Sequence, residues 1–116
     1  MTNQYPPDIQ QLADAILTTR GDTAPQLRHA VEARAAQPGG RLALEDVSEI
    51  PPELVKYVEK VARHAYKVTD ADVEALREAG YSEDAMLEIT LSAALGAALA
   101  RFERGLAALR GASLCD

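Results

Sequence analysis

Glu53, Tyr57, Lys60 and His64 recur at alternating four- and three-residue steps in PPELVKYVEKVARH, which places them on one ridge of a helix. A carboxylate, a phenol and an imidazole along one ridge suit the binding or deprotonation of a small organic acid. The same pattern also suits a solvated helix face, with Glu53 complementing the positive helix N-terminus. Glu88 is a second carboxylate of interest. On a helical wheel it falls inside the Leu91, Leu95, Leu99 stripe, where loss of water would raise its pKa and fit it for acid–base work. A structural cation or phenol would neutralise it instead. Asp72 is a third, suited either to a base or to a cap, because Thr69-Asp70-Ala71-Asp72 has the spacing of a capping box. His29 has no partner at a metal-binding spacing, and the two histidines stand far apart, so no metal site is expected. Cys115, the single cysteine, can form neither an internal disulfide nor a thiolate cluster, and reads as a tail residue.

The elements that must position these groups are helices. Ala and Leu dominate the apolar residues, β-branched runs are scarce, and Pro and Gly punctuate the chain at helical intervals. Pro7 opens a first helix that Gly21-Asp22 closes. Thr23 is the expected N-cap of a second, with Pro25 in its first turn and Leu27, Val31 and Ala35 on one face. Pro38-Gly39-Gly40 is the strongest break, and 41–50 reads as a loop. Pro51-Pro52 starts a third helix, whose apolar stripe is Leu54, Val58, Val61, Ala65 and Val68. Thr69 opens a fourth, ended by Gly80 at C′, and Ser82 caps a fifth that runs to about Arg110.

That fifth helix is apolar on two sides. Leu87, Leu91, Leu95, Phe102, Leu106 and Leu109 form a large-residue stripe, while Ala93, Gly96, Ala97 and Ala100 form a small-residue face open to close helix approach. In a chain this short, the second face is expected to be shared with another copy in a symmetric homo-oligomer.

Composition narrows the classes. With 116 residues, the chain is expected to be a single all-α domain spanning 1–116. A net charge of −6, spread without a basic patch, argues against a nucleic-acid partner. The N-terminal segment lacks a signal-peptide pattern, and the longest uncharged stretch, Ile89 to Ala100, is too short to span a bilayer. No membrane association and a reducing, cytoplasmic location are therefore expected. No glycine-rich phosphate loop is present, and no cofactor is expected.

The layout from about 50 to 110, above all ALREAGYSEDAMLEI followed by ITLSAALGAALARFERGLAAL, resembles the alkyl hydroperoxidase D / carboxymuconolactone decarboxylase superfamily. The resemblance implies an all-α helical-hairpin fold and a homo-oligomer. Redox members carry Cys-x-x-Cys-x-x-x-His, and alignment on Gly80 puts those three motif positions at Ala65, Val68 and Asp72. Dithiol peroxidase chemistry needs two sulfurs, so that activity is not expected here. Glu53 stands where redox members carry the glutamate of their proton relay. The resemblance therefore implies a redox-inactive protein that binds a small molecule, such as a small organic acid, or a partner. The alternative is a dithiol-free lyase or isomerase using Glu53, Tyr57 and His64.

Overall fold

The computed structural model describes residues 5–38 and 50–115, with side chains described as far as Gly111. The expected break at Gly39-Gly40 and the loop over 41–49 lie outside the described residues. Among the described residues five helices follow in order: α1 Pro7–Thr18, α2 Pro25–Ala36, α3 Pro52–His64, α4 Asp70–Glu78 and α5 Glu83–Cys115. A 3-10 turn, Ala65–Lys67, joins α3 to α4. No strand occurs among the described residues, and the all-α class holds.

Local chemistry sets the helix ends. Helices α1, α2 and α3 each begin with proline, whose fixed φ suits the first turn and whose missing N–H would have no partner there. At α4 the Thr69 hydroxyl accepts from the Asp72 amide, and the Asp72 carboxylate accepts from the Thr69 amide at 2.9 Å, completing the capping box. Gly80, at φ +104°, closes that helix. Its N–H donates to Arg77 O and that of Tyr81 to Leu76 O, the paired bonds of a Schellman motif. The Ser82 hydroxyl accepts from the Ala85 amide at 3.0 Å and caps α5.

Three expectations change. Helix α3 ends at His64, so Ala65 and Val68 do not extend its stripe; Ala65 is exposed and Val68 only flanks the core. Helix α2 is preceded by Ala24 in the cap position, and Thr23 points its hydroxyl elsewhere. Helix α5 continues past Arg110 to Cys115; at 1.5 Å per residue that is roughly 50 Å.

The main core lies where α2, α3 and α4 meet α5, around Val31, Leu54, Val58 and Ile89, all at 0% exposure. A second cluster joins α1 to α5 through Ala13, Leu17, Leu95 and Leu99. The most extensive packing is α2 on α5. Gly96 explains how close it is: a Cβ there would run into the backbone carbonyl of Glu32. The small-residue face of α5 is thus already filled. Ala93 and Ala100 are wholly buried and Ala97 nearly so inside the single chain, and at Gly96 the element that approaches this face is α2 of the same chain. A residue without side-chain bulk serves either kind of close crossing equally well, so the sequence does not tell them apart.

Over Glu83–Gly111, α5 is also long and apolar enough to cross a membrane. The uncharged stretch is short, but the helix runs on past its flanking charges. Of its apolar window, 56% is buried inside the chain, as in a core helix.

Candidate functional site

The structure distributes the five candidate residues, Glu53, Tyr57, His64, Asp72 and Glu88, over the surfaces and joints of the bundle. Each makes its own contacts. Tyr57 is the clearest departure from a solvated ridge: it is 8% exposed. The Thr90 hydroxyl donates to Met86 O at 2.7 Å, which leaves Tyr57 to donate its proton to Thr90 Oγ1 at 2.6 Å. Tyr57 therefore ties α3 to α5. His64 is exposed at the last residue of α3, edge-on to the Tyr66 ring at 5.9 Å between centroids. Glu53, in the first turn of that helix, is roughly 16 Å away along the axis.

Glu53 is exposed and accepts a hydrogen bond from the Tyr81 hydroxyl at 2.8 Å, joining the start of α3 to the α4–α5 turn. That bond and the Glu53 backbone amide hold the carboxyl below the usual glutamate range. The phenol moves the other way. Burial first, and the adjacent carboxylate second, push Tyr81 up to about 12.

Asp72 is held at the α3–α4 corner. Its Oδ2 accepts from Lys60 Nζ at 2.9 Å and from the Thr69 amide, and both lower its pKa, the lysine most. Lys60 thus leaves the proposed chemical ridge to serve the corner.

Glu88 differs most from expectation. Instead of sitting among leucines, its carboxylate reaches across to the α1–α2 loop. Oε2 accepts from the Asp22 amide at 2.8 Å, and Oε1 accepts from the Thr23 amide at 2.8 Å and the Thr23 hydroxyl at 2.5 Å. Partial burial alone would push the carboxyl up. The Thr23 hydroxyl, the two amides and the positive charge of Arg28 together outweigh it, and the pKa is lowered, opposite to the direction the leucine stripe implies. Gly21 makes room for this contact, since a Cβ there would run into the Glu88 carboxylate.

Arg28 completes the joint. Only 2% exposed, it donates to Ile16 O at 2.7 Å and to Thr23 O at 3.2 Å, closing the carbonyls at the end of α1 and in the loop. Ser82, the α5 cap, donates to Asp22 Oδ2 at 2.7 Å and fastens the same loop from a third point.

Sequence reasoning does not single out Arg28, Asp22 or Tyr81. The signal for Arg28 is its spacing: it precedes Val31 and Ala35 on the buried face of α2. Asp22 and Tyr81 carry no such mark, because their partners lie at distant points in the chain. His29 is exposed and bonds through Nδ1 to Pro25 O at 2.9 Å, within its own helix. Among the described residues no group of three or more His, Cys, Asp or Glu side chains is placed to hold a metal ion. Chemically, the arrangement is a set of ionised carboxylates bonded to structural donors.

Compared with known proteins, the chain matches no family model, no curated protein and no solved structure.

Proposed function

We propose that this chain is a redox-inactive relative of the alkyl hydroperoxidase D / carboxymuconolactone decarboxylase superfamily that acts by binding, as a homo-oligomer, a small molecule or a partner. One observation supports binding over catalysis in this proposal. Glu53, Asp72 and Glu88 are each bonded to a donor that stabilises the ionised form, and all three pKa values are lowered. A general acid or base working near neutral pH needs the opposite shift. With Ala65 and Val68 in place of a thiol pair, the dithiol route lacks its sulfurs as well.

The dithiol-free lyase alternative draws on one piece of geometry, the exposed Glu53 carboxylate with the Tyr81 phenol on it. Its other two members, Tyr57 and His64, are respectively engaged in the core and exposed at the far end of α3. A single experiment separates the two readings and tests the loss of dithiol chemistry. The purified protein is assayed for alkyl hydroperoxide reduction with a dithiol donor and for turnover of small unsaturated lactone acids, alongside a Glu53→Gln variant. No turnover in either assay is the expected outcome. Lactone turnover abolished by Glu53→Gln would establish the lyase, and hydroperoxide turnover that survives Cys115→Ser would overturn the redox-inactive reading.

A further inference from the structure

Among the described residues, the outward face of α5 is composed unlike the exposed surfaces of α3 and α4. Between Ala85 and Ala100, the exposed residues are Leu87, Leu91, Ala94 and Ala98. Leu87 is 57% exposed and Leu91 43%. Helices α3 and α4 turn Glu53, Lys56 and Arg63, and Glu74, Arg77 and Glu78, toward solvent. A helix segment whose exposed residues are all leucine and alanine has the composition of one that is covered.

Spacing and charge indicate what covers it. Residues 84, 87, 91, 94, 98 and 101 follow a strict three-four alternation, the seam of an antiparallel or parallel helix pair. Leucines occupy one half and alanines the other, with Asp84 at the first end and Arg101 at the second, both exposed. Set against itself in parallel, the seam stacks leucine on leucine, leaves a gap at the alanines and opposes like charges. Set antiparallel about a two-fold axis between Leu91 and Ala94, it is self-complementary. Leu87 meets Ala98, Leu91 meets Ala94, and Asp84 meets Arg101 at each end, so large faces small in every layer. Arg101 donates from Nη2 to Ala62 O at 3.0 Å, which holds its head beside α3 and leaves further guanidinium donors for an acid. The antiparallel arrangement also opposes the two helix dipoles.

We infer that the partner of this face is a second copy of the chain, docked antiparallel through the Leu87–Ala98 seam of α5. This rests on the homo-oligomer reading above and specifies its surface, on the opposite side of α5 from the Ala93–Ala100 face that is buried within the chain.

Sedimentation equilibrium at micromolar concentration tests it, with far-ultraviolet circular dichroism as the check on folding. The wild type is expected to be dimeric. Leu91→Glu, at a position exposed in the single chain, is expected to weaken association roughly tenfold or more with an unchanged spectrum. Asp84→Arg and Arg101→Asp are each expected to weaken it roughly threefold to tenfold, and the double exchange to restore it. An oligomer that persists in Leu91→Glu, or charge variants that fail to rescue each other, would overturn the antiparallel seam while leaving self-assembly standing. A monomeric wild type would overturn both. If that monomer binds phosphatidylcholine–phosphatidylglycerol vesicles and Leu91→Glu does not, the face belongs to lipid and the seam is likewise rejected.

Discussion

Two corners of this bundle are closed by a carboxylate, and they are built on opposite principles. At the α3–α4 corner, Asp72 bonds to Thr69, three residues before it, and to Lys60 on the preceding helix. At the α1–α2 corner, Glu88 bonds to residues more than sixty positions earlier. The first is assembled by local backbone geometry and can form as soon as α4 does. The second exists only after α2 has packed on α5, and it lies over Arg28, a charge that cannot be left buried alone. One carboxylate therefore joins two helices that are consecutive in the chain, and the other fixes the α1–α2 loop against α5.

The largest effect should come from the buried end of the long-range corner. Arg28→Ala opens a cavity and orphans the Ile16 and Thr23 carbonyls, and should cost about 3–5 kcal/mol in urea denaturation. If the loss is under about 1 kcal/mol, in the range of a surface change, the α1–α2 corner is no more cooperative than the α3–α4 one.

Gly21→Ala comes next. The atom its methyl would strike is the end of a flexible side chain, so the cost is displacement of Glu88 from its donors rather than backbone strain. About 1–2 kcal/mol is expected, and in a Glu88→Ala background most of it should vanish. Full additivity of the two changes would show that Gly21 acts independently of Glu88.

Acid titration sharpens the contrast. Glu88 and Asp72 have folded pKa values below their ordinary 4.5 and 3.8. The unfolded chain thus takes up protons first, and the stability these groups supply is complete above those values and lost as pH falls through the lower, folded ones. Melting temperature should fall with pH in that range, and less steeply in Glu88→Gln. Tyr81 gives the reverse at the other extreme. Its neutral form is favoured in the fold, so its contribution holds below pH 10 and is lost between 10 and about 12.

The smallest effect belongs to the local corner. Thr69→Ala should cost about 1 kcal/mol or less, and faster hydrogen exchange should be confined to the first turn of α4. Exchange that also accelerates in α1 or α2 would show the two corners to be coupled.

These corners divide what can be read in advance from what cannot. The helix starts at Pro7, Pro25 and Pro52, the Thr69–Asp72 box, the Gly80 stop and the Ser82 cap all rest on interactions within a few residues, and each stands in the structure where residue type puts it. The side-chain roles are less legible. Tyr57 lies beside Glu53 and His64 on a wheel, yet packing against α5 buries it. Glu88 sits on a leucine stripe, but its side chain is long enough to leave the stripe for the loop.

By itself, the sequence determined the all-α class, the five helices of the described residues with their approximate ends, and the absence of a thiol pair at Ala65 and Val68. Propensity, capping and simple composition act over a turn or less, so one chain read in order is sufficient for them. Only the tertiary structure decided which side of α5 is filled. Ala93, Gly96 and Ala97 suit any close helix, and it is their burial within the chain, with Glu32's backbone against Gly96, that fills this side and leaves Leu87 and Leu91 outside. It also decided that Glu88 is a latch held ionised, because its pKa depends on donors that only folding brings within reach.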